Sequence, residues 1–197
     1  MTIESVAVFC GSNFGLHRYF CEAQAALGRA IADAGLQLIY GGTDKGLMGV
    51  LADAALQCGA RVHGVITQRL VDKGHLHPKL SSHEIVSSMD ERKRRMGALA
   101  GGFIAAPGGI GTLDEFYSTW SLAQLEESGK ACALHNVNGF YDGFLRFVDG
   151  VVHAEFLTAE HRDMLVVEAD PVALIERMRA YQAPRIEKWF DPKKLGV

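Results

Sequence analysis

The segment FIAAPGGIGTLDEF, residues 103–116, decides the fold of this chain. The apolar run at residues 103–106 predicts a buried strand, and the amphipathic pattern that starts at Thr112 predicts a helix reaching about Glu126. A loop with three glycines, Gly108, Gly109 and Gly111, connects the two. A strand that leads through a glycine-rich loop into a helix is typical of doubly wound α/β folds.

The same alternation of strand and helix continues along the chain. Further apolar runs predict strands at residues 6–10, 36–40, 61–66, 131–134 and 165–168. Helical patterns lie at residues 19–34, 47–58, 89–100 and 171–181, the last with Asp170 as its N-cap. Strands this apolar indicate a parallel sheet that helices cover on both faces. We therefore expect a doubly wound parallel sheet in a single α/β domain at residues 1–182, with a peripheral tail at residues 183–197.

Composition narrows the classes of function. The chain has 197 residues with 20 basic and 23 acidic side chains, a formal charge of -3, and no concentrated basic segment. This balance is unlike that of a nucleic-acid binder, and no apolar run approaches the roughly 20 residues that span a bilayer. The first residues also lack the basic segment of a signal peptide. We expect a cytoplasmic protein that binds neither membrane nor nucleic acid, with four reduced cysteines: Cys10, Cys21, Cys58 and Cys132.

Glycine loops follow three of the predicted strands. Because the carboxyl ends of parallel strands share one edge of the sheet, these loops are expected to meet at one site. Glycine lets backbone N–H groups approach an anion, and a helix N-terminus after the loop adds a positive dipole, so the expected ligand group is a phosphate. The alternative for each loop alone is a tight turn that packs a helix on a strand. The loop residues expected at the site are Gly11, Ser12, Gly42, Gly46, Gly108, Gly109, Gly111 and Thr112.

The helix at residues 89–100 carries cations where a core is expected. Arg92 and Lys93 lie near the centre of its apolar stripe, which Met89 and Met96 help to define. A buried guanidinium is costly unless it is paired, so Arg92 points to a bound anion or a buried carboxylate. The alternative is that both cations only extend past the edge of the stripe to water.

The helix after the third loop brings a carboxylate near the predicted phosphate. Thr112, Glu115 and Thr119 align along its flank, and side chains lean toward the helix N-terminus. Glu115 can therefore reach back over the loop toward a sugar attached to the phosphate, or it can simply complement the helix dipole. Asp114 is a second candidate at the site, with a surface position as its alternative.

Residues 67–88 read as an irregular loop that forms a lid or a site wall. It carries His75, His77 and His83, but no HExxH or Cys/His pair accompanies them. We expect exposed loop histidines and no metal site.

Four motifs, in this order along the chain, resemble those of the Lonely Guy proteins, the cytokinin riboside 5′-monophosphate phosphoribohydrolases. CGS at residues 10–12 is similar to the family's first-strand loop, and GGTDKGLMG at residues 41–49 resembles its GGGxxGLMG. MDERK at residues 89–93 resembles its MHERK segment, and PGGIGTLDE at residues 107–115 its PGGxGTxxE signature. The resemblance thus covers the chain from the first predicted strand to the later helices.

The resemblance implies a Rossmann-like fold, a homodimer or an assembly of dimers, and hydrolysis of an N-glycosidic bond that releases an adenine-type base and ribose 5-phosphate. It implies that Arg92 and Glu115 are the catalytic pair with Lys93 beside them, and that the loop at residues 108–112 cradles the phosphate. Glu115 would stabilise positive charge on the sugar, bind ribose hydroxyls or orient water. No cofactor or metal is implied, and nothing in the chain suggests the pyridoxal phosphate site that the family's old label of lysine decarboxylase would need.

The sequence departs from the family pattern at a few positions. Thr43 replaces the third glycine of the second loop, and Asp90 stands where the family commonly has His. The segment Lys73-Gly74-His75 lacks the acidic residue that the family's lid often presents to substrate, and Glu84 is only a distant substitute. These departures bear on the base pocket more than on the catalytic pair.

Three functions remain open from the sequence. The first is hydrolysis of N6-prenylated AMP, a nucleoside 5′-monophosphate whose isoprenoid chain would need apolar neighbours such as Met89, Met96 or Leu47. The second is a broader AMP nucleosidase of similar mechanism. The third is a non-catalytic nucleotide-binding or cofactor-carrier protein, which would keep the glycine loops but would not need Arg92 and Glu115. We expect the first.

Overall fold

Seven parallel strands form the single sheet of this computed structural model, which describes residues 3–125 and 127–184. The strands are β1 Ser5–Phe9, β2 Gln37–Tyr40, β3 Val62–Thr67, β4 Ser82–Val86, β5 Phe103–Ala105, β6 Cys132–His135 and β7 Leu165–Glu168. The helices are α1 Arg18–Asp33, α2 Gly46–Gln57, α3 Gln68–Asp72, α4 Met89–Leu99, α5 Ile110–Gln124, α6 Asp142–His153, α7 Ala159–Asp163 and α8 Pro171–Ala180. The Rossmann-like, doubly wound fold predicted from the sequence is confirmed.

The strand order β4-β3-β2-β1-β5-β6-β7 places a topological switch between β1 and β5. The chain builds outward from β1 to β4, then returns to pair β5 with β1, so that Ala7 lies between Ile39 of β2 and Phe103 of β5. The chain therefore leads from β1 and from β5 into helices on opposite faces of the sheet, with α1 packed on one face and α5 on the other. In open α/β sheets the crevice at this point is where ligands bind.

Apolar side chains on both faces of the strands explain why the sheet is covered on both sides. Val6 and Val8 of β1 belong to one buried cluster, and Ala7 and Phe9 belong to the other. The starts of α4 and α8 show ordinary capping chemistry: the Ser88 hydroxyl accepts from the Glu91 amide, and the Asp170 carboxylate accepts from the first turn of α8. Helices therefore begin where the sequence predicted them, within a few residues.

The sequence prediction was wrong for residues 67–88, which contain α3 and the edge strand β4 rather than only an irregular loop. β4 pairs with β3 from Ser82 to Val86, but most of its side chains are exposed. An edge strand of this kind is held by backbone hydrogen bonds and leaves little hydrophobic pattern in the sequence. The predicted end of α5 near Glu126 and residues 185–197 of the predicted tail lie outside the described residues.

Of the helices at residues 3–125 and 127–184, none combines the length and hydrophobicity that crossing a bilayer requires. The four cysteines are free thiols: Cys10 and Cys132 are buried, Cys21 is half-buried and Cys58 is exposed.

Candidate active site

A cleft of about 640 Å³ opens at the carboxyl ends of β1, β2 and β5. Its walls come from the loops after these strands, from the first turns of α2 and α5, from one side of α4 and from the segment after β3. The predicted convergence of the glycine loops is confirmed, because residues of all three loops line the cleft and the first loop packs directly on both of the others. The Gly11 amide donates to the Pro107 carbonyl over 3.0 Å.

Gly108 shows why this contact needs glycine. A Cβ at this position would overlap the Thr112 hydroxyl and lie 2.8 Å from the Gly11 nitrogen. The two loops can therefore meet backbone to backbone only because Gly108 has no side chain. This packing joins the end of β1 to the start of α5.

Gly109 and Gly111 differ from Gly108, because a Cβ at either position would meet no atom within 4 Å. Both residues are exposed, both line the cleft, and Gly109 is the N-cap of α5. No internal packing requires glycine here. The bare backbone instead leaves the N-terminus of α5 open to an anion, which is the arrangement that phosphate-binding loops use.

Arg92 is buried at the base of the cleft with its side chain only 7% exposed. Its Nε donates to the Val65 carbonyl of β3 over 2.8 Å, and its Nη1 donates to Oε1 of Glu115 over 2.8 Å. A Cβ on Gly41, at the end of β2, would overlap the guanidinium. The inward orientation predicted for Arg92 is confirmed, and the partner is a carboxylate.

Glu115 meets Arg92 from α5 with its side chain 11% exposed. Burial raises the pKa of Glu115 above its ordinary value, and the guanidinium of Arg92 acts in the opposite direction by favouring the charged form. Smaller contributions come from Asp114, which raises the pKa, and Lys93, which lowers it. The cleft therefore contains an oriented carboxylate whose pKa is raised by burial and adjusted by the neighbouring charges.

Lys93 turns to the side of this pair and does not line the cleft. Its Nζ bonds both oxygens of Asp114 at 3.2 and 3.0 Å and lies 3.8 Å from Asp90. The expectation of two inward cations is correct for Arg92, whereas Lys93 is partly exposed. Asp114 lines the cleft, and its partner Lys93 acts on Glu115 only through charge.

The structure places most of the remaining candidates at the cleft. Gly11, Ser12, Thr112 and Met89 line it, although Met89 is 43% exposed and so is not the core residue that the helical stripe predicted. Three candidates lie elsewhere. Gly42 and Gly46 have positive φ and pack against Gly64 and Ser12, and the Thr119 hydroxyl donates to carbonyls of its own helix.

Sequence reasoning did not select several residues that line the cleft: Cys10, Phe20, Lys45, Leu70 and Phe140. Phe20 and Phe140 meet edge to face at 5.7 Å between ring centroids, at the side of the cleft near β6. Cys10 is fully buried on the cleft floor, and burial raises the pKa of its thiol, so the thiol stays protonated. Cys10 and Lys45 lie within the quoted motifs CGS and GGTDKGLMG, whereas only the positions of Phe20, Leu70 and Phe140 in helical turns or after a strand could have indicated them.

The three histidines of residues 67–88 have different surroundings. His83 is exposed and His75 is half-buried at the cleft, but His77 is buried, contrary to prediction. A buried imidazole is retained here because polar partners satisfy it, among them Asp53. Residues 3–125 and 127–184 contain no group of three or more His, Cys, Asp or Glu side chains that could hold a metal ion.

Comparison with known proteins gives matches over most of the chain. The family model described as "Possible lysine decarboxylase" matches residues 48–178. A probable cytokinin riboside 5′-monophosphate phosphoribohydrolase of Oryza sativa subsp. japonica is 35% identical over 93% of this chain and 73% of its own length. The cytokinin riboside 5′-monophosphate phosphoribohydrolase of Rhodococcoides fascians is 36% identical over 91% of each chain.

Among solved structures, the molybdenum cofactor carrier protein of Chlamydomonas reinhardtii is similar in fold. It is 17% identical, with a TM-score of 0.65 over 89% of this chain and 98% of that protein. At this identity the similarity shows the fold alone.

Proposed function

This chain belongs to the Lonely Guy family, and we propose that it hydrolyses the N-glycosidic bond of a cytokinin riboside 5′-monophosphate, an N6-prenylated AMP, to the free base and ribose 5-phosphate. The observation that carries the proposal is the buried Arg92–Glu115 pair, which lies in the same cleft as the bare glycines at the start of α5. Hydrolysis of an N-glycosidic bond on a phosphorylated sugar needs a loop that binds the phosphate and, close to it, a carboxylate that can act at the sugar.

The phosphate binds at the start of α5. Backbone amides around Gly109 and Gly111 and the helix dipole face the open cleft, and the Thr112 hydroxyl lies at the same turn. Gly11 and Ser12 complete this wall from β1. The anion therefore fixes one end of the nucleotide and leaves its ribose near Glu115.

Glu115 stabilises the positive charge that develops on the ribose. As the bond between C1′ and the base nitrogen breaks, its electron pair leaves with the base, the oxygen of a water molecule bonds to C1′, and the proton that this water loses is balanced by one gained by the base. Arg92 holds Oε1 of the carboxylate, so Oε2 can face the sugar or accept from the attacking water. Arg92 thus acts as a positioning residue that keeps Glu115 ionised and oriented.

The preference for a prenylated base is supported by the names of the relatives and by the apolar side chains of Met89, Leu47 and Leu70 in the cleft. A broader AMP nucleosidase would use the same phosphate and ribose sites. A nucleotide carrier would have no use for a buried carboxylate locked by arginine, so the pair favours an enzyme. We also propose a homodimer or an assembly of dimers, because Tyr117, Leu122 and Leu125 leave apolar surface exposed along α5 and just beyond it.

The test is to incubate the purified chain with AMP and, separately, with N6-isopentenyl-AMP, and to quantify free base and ribose 5-phosphate. Glu115→Gln removes the charge with little change in shape, and Arg92→Ala removes its partner. We expect faster release from the prenylated nucleotide and a loss of about 100-fold or more in kcat for each variant, with folding checked by thermal melts.

A preference for AMP would assign the chain to nucleosidase chemistry. Release of no base from either nucleotide, with nucleotide still bound, would contradict hydrolysis and favour a carrier.

A further inference from the structure

The strand order gives the separation between the two ends of the cleft. The phosphate loops follow β1 and β5, whereas the segment of residues 68–80 follows β3, three strand positions away from β5. Three spacings of about 4.8 Å separate these ends by about 14 Å, with Arg92 and Glu115 between them. If the phosphate binds as proposed above, the nucleotide base extends toward this segment.

The segment of residues 68–80 forms the far wall of the cleft, and we refer to it as the lid segment. Leu70 of α3 and His75 line the cleft from it. Its backbone is tied to the loop after β2: Thr43 and Leu76 form an antiparallel bridge, and the His77 amide donates to the Gly42 carbonyl over 2.9 Å. The wall that would contact the base therefore has a fixed backbone connection.

His77 adds a side-chain connection to α2. Its imidazole is only 2% exposed, and its Nδ1 accepts from the Lys79 amide over 3.2 Å. This contact assigns the proton of the neutral ring to Nε2, which donates to Oδ1 of Asp53 over 3.3 Å. His77 thus connects the lid segment to the helix whose first turn, Leu47 and Met48, lines the same cleft.

We infer that His77 is a positioning residue for recognition of the base. By bonding Asp53 of α2 it holds the lid segment at the spacing from α2 at which Leu70 and His75 contact the base. Neither His77 nor Asp53 lines the cleft, so their effect on the substrate passes through these two side chains. The inference rests on the proposed function for the identity of the ligand.

Asp53→Ala is the informative variant. The Asp53 side chain is 55% exposed within α2, and alanine favours a helix, so the fold is kept while the Nε2 partner is lost. Asp53→Asn retains an acceptor for Nε2–H and serves as the conservative rescue. His83→Ala is the matched control, because His83 is an exposed histidine of β4 outside the lid segment.

Binding is measured by calorimetry in a Glu115→Gln background, where turnover does not interfere, with AMP and with ribose 5-phosphate as probes. We expect Asp53→Ala to raise the Kd for AMP about fivefold, Asp53→Asn to restore it, and His83→Ala to leave it unchanged. The Kd for ribose 5-phosphate, which lacks the base, stays the same in all variants. With Glu115 present, Asp53→Ala raises KM and changes kcat less than twofold.

The inference is overturned if Asp53→Ala leaves the Kd for AMP unchanged, or if it raises the Kd for ribose 5-phosphate by the same factor. It is also overturned if Asp53→Asn raises the Kd for AMP as much as Asp53→Ala does. Failure of the proposed function would give a different result, because the wild-type chain would then release no base. The binding comparison needs no turnover, so it decides the role of His77 in either case.

Discussion

The two ends of the cleft are built in different ways. At the β1 and β5 end, short contiguous segments meet through backbone, with Gly108 against Gly11. At the β2 and β3 end, the wall is the lid segment, which is held by backbone contacts to the loop after β2 and also by a side chain, since the His77 imidazole bonds Asp53. The first end is therefore held by backbone packing alone, and the second depends in addition on a side-chain contact.

This difference suggests that one end of the cleft serves to bind the phosphate and the other to recognise the base. A phosphate has the same shape in every nucleotide, so a backbone cradle can serve any substrate of this class. Bases differ from one another, and a wall held by side chains can be changed without disturbing the cradle. The predictions below test this separation, beginning at the charged pair between the two ends.

The largest effect is expected from Gly41→Ala. The new Cβ would overlap the Arg92 guanidinium and force it away from Glu115. A misplaced positioning residue costs about 100-fold in kcat/KM, measured by steady-state release of base. Gly97→Ala on α4 is the control, because a Cβ there meets no atom within 4 Å. Equal activity of the two variants would show that the position of Arg92 does not matter.

Sequence reasoning succeeded where a side chain's role follows from its own element. The apolar stripe of α4 placed Arg92 inside, and the glycine loops located the cleft before any contact was known. It failed for Met89, which lies on the same stripe but near the N-terminus of α4, where the helix projects past the core and the side chain is 43% exposed. Helical periodicity predicts the direction in which a side chain points around the helix axis. It does not predict whether that turn of the helix lies over the core or beyond it.

The lid segment and the strand β4 that follows it show a second limit of the sequence. β4 has few buried side chains, and the burial of His77 depends on two distant residues, Asp53 for its Nε2 and Gly42 for its amide. None of these partners is recognisable from spacing, because they come together only after β3 and α2 pack. The contacts of the lid segment could therefore not be predicted, whereas the meeting of the glycine loops at the cleft could.

The second prediction concerns pH. Because burial raises the pKa of Glu115, and the ionised carboxylate is required, kcat/KM falls about tenfold for each pH unit below that raised pKa. Asp114→Asn removes a charge that raises this pKa, so the acid limb should move to lower pH. Lys93→Ala removes a charge that lowers it, so the limb should move to higher pH. If the pH profiles of kcat/KM for the two variants shift in the same direction, Glu115 is not the titrating group.

The third prediction separates packing from binding within the glycine end. Gly108→Ala places a Cβ against Thr112 and Gly11, which should cost about 2 kcal/mol and lower the Tm by about 5 °C. Gly111→Ala meets no neighbour and strengthens α5, so its Tm stays the same or rises. Gly111→Ala should nevertheless raise the Kd for ribose 5-phosphate about tenfold, because the new methyl group occupies the space in which the anion binds. Unchanged binding by Gly111→Ala in calorimetry would place the phosphate elsewhere.

The smallest effect is expected from Leu70→Ala at the base end. Leu70 lines the cleft from α3, so its truncation removes apolar contact from the base but none from the phosphate or the buried pair. We expect KM to rise about fivefold for N6-isopentenyl-AMP, about twofold for AMP, and kcat to stay the same, because the prenyl group is the apolar part of the substrate. Val172→Ala, an exposed apolar truncation on α8, should change neither constant. An equal change for both nucleotides would mean that the lid segment contacts the purine ring and that the prenyl group lies against another wall.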